Sequence, residues 1–225
     1  MSYNMDGETY NLLYKRYLKR SPRELLELAG MKEGDVVWDL CAGSNGIVAE
    51  EALKMGAKKV IAIDANTEVT CLRELSDKVK VACGYAESFF ASFLIQRSKL
   101  TEDVPNVVVC RQGTNYWFEK ESIKNLASIM LPGSMFVFNT FRQEPSPEPS
   151  FKKYEIDGRH YVEVWQLNDD IVHHVQIAEG LEPHSTSFRW ITPEEFETTL
   201  KPFFNVKVHV DNKSSIYVCE RNGER

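Results

Sequence analysis

Short apolar runs alternate with amphipathic stretches over the first two thirds of the chain. The runs at 35–40, 59–63, 78–82, 106–110 and 134–139 have strand length and are rich in Val, Ile or Phe. Between them, 46–55, 67–76, 86–98 and 119–130 repeat their apolar positions at helical spacing. Such alternation predicts parallel strands joined by helical crossovers, a doubly wound α/β sheet. Residues 8–29 add two helical pieces. In the first, Tyr10, Leu13, Tyr14 and Tyr17 share a face; for the second, Ser21-Pro22 offers an N-cap and first-turn proline, and Gly30 a stop.

The pattern changes at the proline-rich segment Glu144-Pro145-Ser146-Pro147-Glu148-Pro149, through which no helix can run. Three strand-like segments follow at 151–157, 159–167 and 171–178, punctuated by Asp157-Gly158 and Asn168-Asp169-Asp170. They predict an antiparallel meander inserted at about 150–180. Thr192-Pro193-Glu194-Glu195 starts a helix to about 200, and strands at 203–210 and 215–220 form a C-terminal antiparallel hairpin at the sheet edge. The expectation is one domain over 1–225, with a helical lid at 1–30.

A length of 225 residues suffices for one sizeable core, and the composition, 43% hydrophobic and 27% charged, is that of a globular protein. No apolar run has bilayer-spanning length, so no membrane role is expected. A net charge of −6 without a basic block disfavours nucleic acid and leaves a small molecule as the expected partner, with a second copy of the chain as a candidate for homodimer formation. The five cysteines form no CxxC pair, which fits a reducing, cytoplasmic setting; neither they nor the five histidines have metal-ligand spacing.

The most informative segment is Val36-Val37-Trp38-Asp39-Leu40-Cys41-Ala42-Gly43-Ser44-Asn45-Gly46, followed by Val60-Ile61-Ala62-Ile63-Asp64. It reads as strand, tight loop of small residues, helix, and a second strand ending in a carboxylate. Such a unit lets a nucleoside ligand lie over the strand ends, close to the loop backbone, with Asp64 accepting from both ribose hydroxyls. Asp39 either orients the loop through its backbone N–H groups or touches the ligand. The pattern Cys-x-Gly-x-x-Gly by itself serves NAD or another adenosine ligand equally well.

With the terminal hairpin added, the chain resembles the class I S-adenosylmethionine-dependent methyltransferases, small-molecule branch, from about residue 10 to the C-terminus. Residues 37–45 look like the family's first motif, and Asp64 matches its ribose-binding acid. Gly84-Tyr85-Ala86-Glu87 follows the third strand, Pro105 to Gln112 resembles the fourth strand and its active-site end, and Leu131 to Asn139 resembles the fifth. The resemblance implies S-adenosylmethionine as cofactor, bound by Asp39, Cys41, Gly43, Ser44, Asn45, Asp64, Ala65, Tyr85, Ala86, Glu87 and Arg111. Cys41 and Asn45 stand where the family usually has glycine, and Tyr85 where it often has Asp. Asn tolerates the left-handed backbone, so Asn45 can replace glycine there; Cys41 is expected to keep ordinary angles.

Arg111 and Gln112 end the fourth strand and lead the catalytic candidates, with Asn115, Tyr116 and Trp117 continuing that rim. Asn139 and Arg142 occupy the matching place after the fifth strand, where Asn139 either meets the acceptor or holds the turn. Tyr14 is a further candidate, by covering the sulfonium or binding the cofactor carboxylate, and Arg16, Lys19 and Arg20 could take that carboxylate. Each of His160, His173, His174 and His184 reads first as packing or surface, although one could face the pocket from the insert; Trp165, Phe188 and Trp190 read as core or pocket wall. The expected reaction is methyl transfer to a small polar metabolite. With no general base in view, a nitrogen acceptor is slightly favoured over oxygen. Two alternatives stay open: intramolecular cleavage of the cofactor with release of methylthioadenosine, and a non-catalytic binding module.

Overall fold

The computed structural model describes residues 21–141, 144–156, 158–210 and 214–223. Tyr10, Tyr14, Arg16, Tyr17, Lys19, Arg20 and Arg142 lie outside the described residues. Two sheets are present among the described residues. The larger contains seven strands: β1 (Val36–Leu40), β2 (Lys59–Asp64), β3 (Val79–Cys83), β4 (Val107–Arg111), β5 (Met135–Thr140), β10 (Phe204–Val210) and β11 (Ser215–Arg221). Their order is β10-β11-β5-β4-β1-β2-β3, with β11 antiparallel to both β5 and β10 and the other pairings parallel. The terminal hairpin therefore adds to the sheet as expected, with the later strand placed inside the earlier one.

Alternation along β1 explains how the layers form. Val36, Trp38 and Leu40 point to one face, Val37 to the other, and all are buried. On the first face lie α3 (Ala86–Gln96), α4 (Lys120–Ile129) and α5 (Pro193–Leu200), through Phe90, Phe93, Ile123, Leu126 and Phe196. Trp38 anchors this layer: its ring meets Phe89 and Phe93 edge-on, and its indole N–H donates to the Asp103 carbonyl at 2.9 Å. The second face is covered by α1 (Pro22–Leu28), α2 (Ile47–Lys54) and a 3-10 helix at Thr67–Glu74. That last segment was expected as an ordinary helix. At α1, Ser21 takes the cap position without a side-chain bond, whereas Thr192 caps α5 by accepting the Glu195 N–H at 3.2 Å.

The insert is a separate antiparallel sheet of four strands: β6 (Ser150–Ile156), β7 (Arg159–Asn168), β8 (Ile171–Ala178) and β9 (His184–Arg189). Three of these were expected. The fourth, His184-Ser185-Thr186-Ser187-Phe188-Arg189, has a single apolar residue and so shows no period-two hydrophobic signal; it is a strand because it pairs with β8. Asn115 fastens the insert to the main sheet, since its Nδ2 donates to the Arg189 carbonyl at 3.2 Å and its Oδ1 accepts from the Thr140 hydroxyl at 2.9 Å. The insert thus hangs over the carboxyl ends of the parallel strands.

Candidate active site

A cavity of about 390 Å³ opens over the carboxyl ends of β1, β2 and β4 and runs beneath the insert. At its inner end the loop after β1 meets the end of β2. Asp64 receives the Gly43 N–H on Oδ2 at 2.9 Å and the Asn66 N–H on Oδ1 at 2.7 Å. Each carboxylate oxygen has a second lone pair, so two acceptor positions remain for vicinal hydroxyls. Asp39 is 1% exposed and lines the same cavity, and its buried Oδ2 has no hydrogen-bond partner among the described residues. Asp64 thus holds the loop through the Gly43 and Asn66 N–H groups, the loop-orienting role that had been weighed for Asp39. Burial pushes the Asp39 carboxyl well above its ordinary range, against which the nearby Arg111 acts. Burial also raises Asp64, opposed by its two backbone N–H donors.

The loop backbone contradicts the expected glycine substitutions. Cys41 has φ +56°, the left-handed region that a side chain rarely adopts, while Asn45 does not. The expectation of ordinary angles at Cys41 is therefore wrong. Gly43 (φ +63°) and Gly46 (φ +59°) supply the other left-handed positions. The conformation at Cys41 costs roughly 1–3 kcal/mol and is held by a contact across the sheet. A Cβ on Gly113 would lie 2.3 Å from the Cys41 Cβ and 2.5 Å from its Sγ, so Gly113 is glycine to admit this side chain. The Cys41 thiol donates to the Gly113 carbonyl at 3.6 Å. Hydrogen bonding to Cys110, together with burial, pushes that thiol well above its usual range, so it packs rather than reacts.

Gln112, next to Gly113, is also left-handed, with φ +64°. The Asn139 carboxamide oxygen accepts the Gln112 N–H at 3.2 Å; Asn139 is buried and is not among the cavity-lining residues. Of the two roles weighed for Asn139, the geometry matches the structural one: it holds the turn that presents Gln112. Ser44 is likewise absent from the lining, and its carbonyl accepts from the Cys71 thiol at 3.4 Å. Of the expected residues, Asp39, Cys41, Gly43, Asn45, Asp64, Ala65, Tyr85, Ala86, Glu87, Arg111 and Gln112 do share the cavity.

At the outer end, Tyr116 had been expected as rim, Trp165 and Phe188 as core or pocket wall, and His174 and His184 as insert residues that could face the pocket; Phe141 and Ser187 were not singled out. Tyr116, Phe141, Trp165 and Phe188 form the aromatic wall, with Phe141 stacked on Phe188 at 5.6 Å and Tyr116 edge-on to Phe188 at 5.4 Å. His174, His184 and Ser187 line it from the insert. Burial and the neighbouring His174 lower the His184 imidazole. The usable signal was spacing: His174 and Gln176 alternate on β8, and their cross-strand partners Trp165 and Glu163 alternate on β7.

No family model matches the chain, and no curated protein matches it either. Solved structures do. An S-adenosylmethionine-dependent methyltransferase from Clostridium acetobutylicum superposes with TM-score 0.70 at 15% identity, covering 96% of this chain and 99% of its own. CalS10 from Micromonospora echinaspora, an amino pentose methyltransferase with S-adenosylmethionine bound, gives 0.71 at 12%, covering 99% and 100%. DesVI from Streptomyces venezuelae gives 0.67 at 16%, covering 97% and 100%. At such identities the likeness is one of fold: the chain has the α/β methyltransferase fold over nearly its whole length.

Proposed function

We propose that the protein is an enzyme that binds S-adenosylmethionine and transfers its methyl group to a small molecule seated under the insert. The observation that carries this reading is the cradle at the inner cavity end. Gly43 leaves the loop backbone bare, Asp64 keeps two acceptor positions, and Asp39 lines the same space. A cationic sulfonium nucleoside suits this group of acids better than the anionic pyrophosphate of a dinucleotide. The fold shared with methyltransferases supports the same choice.

Asp64 would hold the ribose, and Tyr85 and Glu87, at the start of α3, would flank the base. Asp39 would take a donor from the amino-acid part or lie near its charge, with Arg111 balancing the local field. When bound, the cofactor supplies a methyl group already activated as an electrophile, so the chain's task is alignment and exclusion of water. Gln112 and Asn115 present polar groups between the two ends of the cavity, and the aromatic wall keeps the outer end dry. Isothermal titration of the full chain with S-adenosylmethionine and S-adenosylhomocysteine tests the reading. Saturable binding of both is expected; absence of both overturns it.

A further inference from the structure

The outer end of the cavity is built from rings supplied by four separate parts of the chain. Tyr116 comes from the 3-10 turn at Thr114–Tyr116, Phe141 follows β5, Trp165 lies on β7 and Phe188 on β9. Their neighbours on β7 and β8, Leu167 and Val172, are aliphatic and do not line the cavity. The rings stand in crossed orientations. Phe141 and Phe188 are parallel within 10°, whereas Trp165 crosses them at 72° and 75° and Tyr116 crosses Phe188 at 64°. Each ring holds its neighbour in place, so the wall is ordered before any ligand arrives.

We propose that this end takes the methyl acceptor as a flat aromatic ring, uncharged and with few polar substituents. The proposal rests on the methyl-transfer reading above and names a substrate class for it. Aromatic rings favour offset-stacked and edge-to-face contacts at centroid distances of about 4.5–7 Å, and the crossed wall offers both to an incoming ring. Charge points the same way. The acids lining the cavity, Asp39, Asp64 and Glu87, lie on β1, β2 and the start of α3, at the cofactor end. Among the described residues no carboxylate lines the outer end. Glu163 is 0% exposed, outside the lining, and accepts from the Tyr154 hydroxyl and the Gln176 amide. An ammonium group there would lose water without gaining a counter-charge. The polar side chains lining that end are His174, His184 and Ser187. They are too few for the hydroxyls of a sugar but enough to orient one or two ring substituents. In the transfer a substituent gains the methyl carbon and its proton goes finally to solvent, while the S–C bonding pair stays on sulfur. This narrows the small polar metabolite expected from sequence to one whose polarity is confined to its substituents.

The test titrates the full chain, saturated with S-adenosylhomocysteine, with three uncharged or sugar-like probes. They are 2-naphthol, its saturated counterpart decahydro-2-naphthol, and methyl glucosaminide. The naphthol should bind about 10-fold or more tighter than either of the others, since several ring contacts are each worth about 2- to 10-fold. Nuclear Overhauser contacts from the bound naphthol to the Phe188 and Tyr116 rings should place it at the wall. Phe188→Leu should weaken the naphthol about 2- to 10-fold and leave decahydro-2-naphthol and S-adenosylhomocysteine unchanged. Tyr116→Leu, at a residue 40% exposed and so without consequence for folding, should do the same. A loaded protein that ignores the naphthol, prefers the saturated or sugar probe, or binds the naphthol equally well in both variants overturns the proposal. Each of those outcomes leaves the methyl-transfer reading intact. Failure to bind S-adenosylhomocysteine overturns that reading instead.

Discussion

The seven-stranded sheet buries Val37, Val60, Val109 and Val137 on one face and Trp38, Ile61, Val108 and Phe136 on the other, whereas the four-stranded insert buries Glu163, His174, Gln176 and Thr186 among Tyr161, Leu167, Val172, Ala178 and Phe188. Both sheets obey the same period of two, yet what they hide differs. A parallel sheet with helices on both faces must be apolar on both, because each face is core. The insert has one face over a cavity, and there a polar side chain can meet a ligand. The comparison teaches that the main sheet gives both faces to the core while the insert turns one face to the cavity, the two being joined through Asn115.

Several substitutions would break or sharpen this contrast. The largest effect belongs to the main sheet: Phe136→Ala, which empties a site packed by Phe138 and Trp117, should cost about 3–5 kcal/mol in urea unfolding. In the insert, Glu163→Met removes the acceptor of the Tyr154 hydroxyl and the buried Gln176 amide and should cost about 1–3 kcal/mol by the same measurement. Next comes Gly113→Ala, expected to cost about 1–3 kcal/mol by crowding Cys41. Adding Cys41→Gly should recover it, since that change removes both the clash and the φ of +56°.

Smaller effects concern the ligand and pH. Asp64→Ala should weaken S-adenosylhomocysteine binding by about 1–3 kcal/mol in calorimetry, through lost hydrogen bonds and a loosened Gly43 loop. Asp39 affects the pH dependence. Its folded carboxyl is raised above the ordinary 3.8, so the folded protein holds that proton more tightly than the unfolded chain does. Stability without ligand should therefore fall as pH rises from about 3.8 through the folded value, and stay lower above it. Asp39→Asn should abolish that fall, raising the melting temperature at neutral pH relative to the parent and weakening cofactor affinity. Melting curves across pH check the first outcome and titration the second.

The parallel strands, their crossover helices and the cradle around Asp64 were legible in the chain, because apolar periodicity and a short glycine-containing loop are local properties that each segment shows by itself. β9 was not, since its buried alternate positions include Thr186 and so give no apolar alternation. Nor was the left-handed Cys41, which is sustained by Gly113, 72 positions along the chain. Asn139 as the holder of Gln112, and His174 beside Glu163 and Trp165, depend likewise on registers between strands. What the sequence by itself determined is therefore most of the elements and the small-residue loop set beside Asp64. The tertiary structure decided which polar groups share the outer end of the cavity, because contacts across strands follow from sheet pairing, which spacing within a segment does not encode.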